Sequence, residues 1–175
     1  MASNEFTAEL FRTDQQQQVN GHDICYNLAL INLASLQDDW TFRKYYFTPC
    51  QSLPTSWRFQ LTLQRVPGSE EVSGYATLIR NDSINIPVNA HFVVTFYYMN
   101  YSADYVPRTN IDRRMVPTDV KSIYMYSIVP SEFRPILHQQ LLVRVLITIR
   151  NCHGERTSSG SKIESKEKPV HFSKL

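Results

Sequence analysis

YATLIRNDSINIPVNAHFVVTFYYMN, Tyr75 to Asn100, is the stretch whose reading decides the fold. It reads as two extended segments joined by a polar turn at Arg80-Asn81-Asp82-Ser83. In the second segment Val88, Ala90, Phe92, Val94, Phe96 and Tyr98 fall on one side. Asn89, His91, Val93, Thr95, Tyr97 and Met99 fall on the other. Such a sustained period of two marks a β-strand with one buried face. Its β-branched and aromatic residues suit a pleated, half-buried surface. The stretch is expected to be a hairpin at the centre of an antiparallel β-sandwich.

The neighbouring segments carry the same period. Trp57-Arg-Phe-Gln-Leu-Thr-Leu-Gln-Arg65 puts Trp57, Phe59, Leu61 and Leu63 inward and Arg58, Gln60, Thr62 and Gln64 outward. Pro67-Gly68 turns the chain, and Val72 to Arg80 follows as the next strand. Upstream, Ile24 to Leu33 and Trp40 to Phe47 read as strands. A helix over residues 27 to 36 competes with the first, because that run is apolar on several faces. Downstream, Ser122 to Val129 and Leu141 to Arg150 are strands. Residues 101 to 121 between them read as a long loop, since two prolines and scattered charges argue against a central strand. The fold class is all-β, an antiparallel sandwich of about seven to eight strands.

The ends differ in composition. Residues 1–21 are polar, include Gln15 to Gln18 and show no period, so they are expected to be disordered. The sandwich occupies residues 22–152. Residues 153–175 are a Ser, Lys, Glu and Gly-rich linker or tail, expected to lead to a further domain. Nothing near the start pairs a basic segment with an apolar one, as a signal peptide would, and no apolar run is long enough for a membrane span. An intracellular location, cytoplasmic or nuclear, is expected. Cys25, Cys50 and Cys152 are odd in number and widely spaced, which suits free thiols in a reducing compartment.

No catalytic constellation is visible. Cys25 lies in an apolar strand, and Cys50 lies in a loop, expected to be more exposed, with no base nearby in sequence. His91 alternates outward. His138 and His153 have no ligand-like spacing, so no metal and no cofactor are expected. Tyr97, Tyr98, Tyr101 and Tyr105 precede Arg108, Arg113 and Arg114, a mixture of rings and cations that suits single-stranded RNA. A net charge of only +2 and the interleaved Asp104 and Asp112 weigh against that reading.

From Trp40-Thr41, through Ser56-Trp57-Arg-Phe-Gln-Leu61, to the paired block ending at Asn100, the order of features resembles the MATH (meprin and TRAF homology) domain. Leu141 to Ile149 matches that family's last core strand, and the polar tail is similar to the linker before a BTB domain. The resemblance implies a TRAF-like sandwich that binds an extended peptide of another protein along a sheet face, as an adaptor linked to ubiquitin ligase machinery. It places Thr77 and Phe92 along the groove, with Asp119 and Val120 where the family often carries an acidic residue and an aromatic platform. That tract here reads Asp119-Val120-Lys121-Ser122, so the platform is largely missing. Tyr75, Phe92, Tyr124 and Tyr126 are candidate anchors, because aromatic rings bury much area with few rotatable bonds. The alternative is a scaffold or dimerisation module that self-associates and has no peptide groove.

Overall fold

The computed structural model describes residues 5–98, 109–129 and 131–153. The expected tail from 154 onward, and Tyr101, Tyr105 and Arg108 of the nucleic-acid reading, lie outside the described residues. The strands run β1 (Thr7–Gln18), β2 (Gly21–Ile31), β3 (Trp40–Thr48), β4 (Thr55–Arg65), β5 (Val72–Arg80), β6 (Val88–Tyr98), β7 (Thr109–Met115), β8 (Val120–Met125) and β9 (Gln140–Arg150). Short 3-10 segments, Leu33–Ser35 and Ser131–His138, complete the described elements. No helix among the described residues is long and apolar enough to cross a membrane.

Two antiparallel sheets face each other. One has the order β1-β2-β9-β6-β7, the other β3-β4-β5-β8. The inward faces are the ones that alternation assigns. Phe59 and Leu61 of β4 meet Phe92 and Val94 of β6 in a single buried cluster. The Phe59 and Phe92 rings cross edge to face at 5.7 Å, and Tyr26 of β2 meets Phe42 of β3 at 5.6 Å. These contacts tie sheet to sheet, with ring geometry that aromatic quadrupoles favour.

The expected hairpin does not form. β5 pairs with β4 and β8, whereas β6 pairs with β7 and β9. Residues 81–87 therefore carry the chain from one sheet to the other. Alternation states which face of a strand is buried; it is the same whether the next strand lies beside it or opposite it. Arg80 organises the crossing. Its parity turns it inward with Ala76 and Leu78, and it is fully buried.

Three further expectations are corrected. Thr7–Gln18 is not a disordered end but the edge strand β1, paired with β2 over nearly its whole length. An edge strand is held by main-chain hydrogen bonds, which polar side chains leave intact. Only Ala8 and Leu10 pack against the core, and a register shift between Leu10 and Arg12 leaves Phe11 exposed. Within the expected long loop, Thr109–Met115 forms the edge strand β7 against β6. Its prolines, Pro107 and Pro117, flank the strand and do not interrupt it. Finally, β2 starts three residues before the expected Ile24, and β8 runs from Val120 to Met125 instead of Ser122 to Val129. The competing helix over 27–36 is limited to the 3-10 turn at Leu33–Ser35.

Candidate functional site

The outer face of the four-stranded sheet gathers most of the residues singled out as binding candidates. Pairing sets three rows across it: Thr41, Thr62, Tyr75 and Tyr124; then Arg43, Gln60, Thr77 and Ser122; then Tyr45, Arg58, Ile79 and Val120. Tyr75 stacks on Tyr124 with ring centroids 6.0 Å apart and planes 20° apart. Tyr124 in turn lies 5.7 Å from Tyr126. The row becomes more exposed outward, from a half-buried Tyr75 to 55% at Tyr124 and 83% at Tyr126. β8, which carries Tyr124, pairs with β5 alone among the described strands.

The middle row is polar, and its Arg43 donates to Gln60 Oε1 at 3.2 Å. The far row sets Arg58 among Tyr45, Ile79 and Val120, and Tyr45 and Val120 are both exposed. Phe47 extends it along β3 and is 61% exposed. Tyr45 and Phe47 were not among the sequence candidates. Their signal was present: once Phe42 points inward, parity turns Tyr45 and Phe47 outward.

Two candidates leave this face. Phe92 has no exposed surface and belongs to the core, where it packs on Phe59. Its strand lies in the other sheet, so no edge of the ring reaches a ligand on this face. Asp119 is part of a tight turn. Its carboxylate accepts from the Val116 N–H at 3.0 Å, and its carbonyl accepts from the Arg80 N–H at 3.1 Å. The turn needs this brace because Thr118 sits at φ 69°, a left-handed conformation costly for a β-branched residue.

A second cluster lies at the end of the sandwich where β2 begins and β9 ends. Cys50, expected to be exposed, is buried there. His22 Nε2 lies 2.9 Å from Cys50 Sγ, and Cys50 Sγ lies 3.4 Å from Cys152 Sγ. His153 Nε2 lies 3.2 Å from His22 Nε2. The four ligand-type atoms all fall within 4.8 Å of one another. His22, Cys50 and Cys152 are buried, and His153 is half-buried at the rim.

Local backbone brings these residues together. Gly21 lets β2 approach β9 so closely that a Cβ there would run into the Ile149 carbonyl. Asn151, at φ 63°, takes the left-handed turn that Asn tolerates, and its N–H donates to the Asn20 carbonyl at 2.9 Å. The chain thus turns Cys152 and His153 back over His22. Burial, then His153 and Arg150, holds the His22 imidazole below its usual value, partly offset by Asp23. Burial, reinforced by the contact with Cys50, pushes the Cys152 thiol up. The sequence reading missed this cluster because His22 lies 28 positions from Cys50 and 131 from His153. Only the adjacent pair Cys152-His153 hinted at it.

Near the other end, Arg65, Glu70, Arg134 and His138 line a cleft whose rim carries the exposed Arg134–Glu70 ion pair at 3.6 Å. No protein-family model matches the chain, and no curated protein matches it.

Proposed function

We propose that the protein is a non-enzymatic interaction module that holds an extended segment of a partner protein across the outer face of the β3-β4-β5-β8 sheet. The observation that carries this reading is the run of tyrosines from half-buried Tyr75 to exposed Tyr124 and Tyr126, beside the edge of β8 that no described strand pairs with. Stacked rings offer large apolar area at small entropic cost. An open strand edge offers main-chain hydrogen bonds to a peptide laid alongside it. Arg43 lies in the row between the tyrosine end and the row of Tyr45, Arg58, Ile79 and Val120. A fitting segment therefore carries apolar side chains at its two ends and an acidic one between them. An intracellular adaptor role linked to ubiquitin ligase machinery rests on the sequence resemblance to MATH domains, and recovery of a cullin complex with the protein from cells would test it.

Peptide display against the 175-residue chain tests the binding face. A short motif is expected to enrich and to be lost in the Tyr124→Ala/Tyr126→Ala variant. Both rings are exposed, so that variant is expected to keep its stability within about 1 kcal/mol. Enrichment that survives the double change would sink the proposed face. A second reading, self-association, is favoured by the exposure of Tyr45 and Phe47 on edge strand β3. Sedimentation over a concentration series separates the two: a dimer abolished by Tyr45→Lys/Phe47→Lys, with no peptide motif found, selects the scaffold.

A further inference from the structure

We propose that His22, Cys50, Cys152 and His153 form a structural zinc site that clamps the two sheets together at one end of the sandwich. The donor set is two imidazoles and two thiols, the combination that tetrahedral zinc sites use. Tetrahedral coordination at ordinary Zn–N and Zn–S lengths spaces two nitrogens about 3.3 Å apart and two sulfurs about 3.8 Å apart. The corresponding separations here are 3.2 Å and 3.4 Å. The nitrogen-to-sulfur separation, 2.9 Å, would widen by about 0.7 Å on binding.

The outer contacts orient the rings for the same task. His153 Nδ1 lies 3.0 Å from the Val19 carbonyl, which only accepts, so that nitrogen carries the proton and Nε2 presents its lone pair inward. His22 Nδ1 lies 3.2 Å from the Tyr46 hydroxyl, a partner that leaves Nε2 free for a metal. Metal-binding histidines are anchored in this way through the nitrogen opposite the metal. Three of the four residues are buried. Four protein donors leave no open position for water, which makes the site structural and not catalytic. Charge balances as well. Zinc displaces one proton from each thiol, the two protons leave to solvent, and the two thiolates neutralise the divalent cation.

The mechanical consequence follows from where the ligands sit. His22 opens β2, Cys50 lies in the loop between β3 and β4, and Cys152 and His153 follow β9. One cation would join the first sheet, the second sheet and the chain's exit from the sandwich. The hydrogen bond from Ser52 Oγ to the Cys152 carbonyl at 3.2 Å already links the β3–β4 loop to that exit.

The test is elemental analysis of the full chain, produced in zinc-supplemented medium and isolated without chelator, beside Cys50→Ser/Cys152→Ser. About one zinc per wild-type chain is expected, and none in the double variant. Chelation should lower the melting temperature by more than about 5 °C, and added zinc should restore it. Cobalt should replace zinc and give visible ligand-field bands of tetrahedral shape with thiolate charge-transfer absorption. Tyr46→Phe keeps all four ligands and the fold, and should weaken zinc about 10-fold or more in competition with a chromophoric chelator. A metal-free folded chain indifferent to zinc and cobalt would overturn the proposal. So would equal zinc in the double variant, or a Cys50–Cys152 disulfide in freshly isolated protein.

Discussion

Arg80→Met is expected to destabilise the protein by about 3–5 kcal/mol, because it leaves a mostly buried carboxylate and three carbonyls without their cation. Every N–H of the guanidinium has a partner. Nε and Nη2 grip Asp82 with two bonds of 2.8 and 2.9 Å. Nη2 also donates to the Ile84 carbonyl at 2.9 Å, and Nη1 to those of Ile86 at 2.6 Å and Met115 at 2.8 Å. The side chain therefore holds the whole crossing from β5 to β6 and ties it to the end of β7. Methionine fills similar space and satisfies none of these acceptors. Urea unfolding measures the loss, and a change below about 1 kcal/mol would refute this account. Arg80→Met/Asp82→Asn should recover part of it, since the charge left behind is then gone.

Acid should expose the same pair. Burial alone would raise the Asp82 carboxyl, but the bonds from Arg80 and from the Ser56 and Ile84 N–H groups outweigh it and hold its pKa below the usual value. A carboxyl whose pKa is depressed on folding adds stability above its unfolded pKa of about 4 and loses it as pH falls towards the folded value. Wild-type stability should therefore fall on acidification below about pH 4. The penalty of Arg80→Met should shrink over that same interval, because a protonated Asp82 no longer needs the cation. An Arg80→Met penalty that stays constant from pH 6 to pH 3 would exclude the carboxylate as its main source.

Phe92→Ala is the second change with a large expected effect, a loss of about 3–5 kcal/mol in stability. The ring sits at the middle of β6, has no exposed surface, and meets Phe59 of the opposite sheet edge to face. Truncation removes the buried ring and leaves a cavity between two sheets that are pinned on all sides by their own ladders. Phe92→Leu retains most of the volume and should cost about 1–2 kcal/mol. The pair of variants separates core from binding site. If Phe92 served a ligand, Phe92→Ala would keep its melting temperature and lose capture of the peptide. A stability loss under about 1 kcal/mol would place the ring outside the core.

The limits of the sequence reading show in the same residues. Phe92 shares its parity with Val94 and Phe96, so its inward direction was readable; the resemblance to a peptide-binding family and the general aptness of aromatic anchors drew it toward the groove. Arg80 was read as part of a polar turn because arginine is polar. Its parity with Ala76 and Leu78 in fact placed it inside, where only a complete set of acceptors makes a cation tolerable. Tyr75, Tyr124 and Tyr126 were candidate anchors by residue type; that strands distant in sequence stack Tyr75 on Tyr124 was not readable. β1 carried no legible pattern, since Gln15 to Gln18 join β2 through the backbone ladder, with one side-chain bond from Gln18 to Asp23.

Alternation in the chain was enough for the fold class, for the extent of most strands and for the inward faces of β4, β6 and β9, because side-chain direction in a strand depends on parity along the chain. Tertiary structure decided which strands became neighbours. β5 and β6, consecutive in the chain, went to different sheets, and Arg80 braces the crossing between them. It also decided the cluster of His22, Cys50, Cys152 and His153. Residues so far apart in the chain meet only after the ladders of both sheets have closed, and no local period records that meeting.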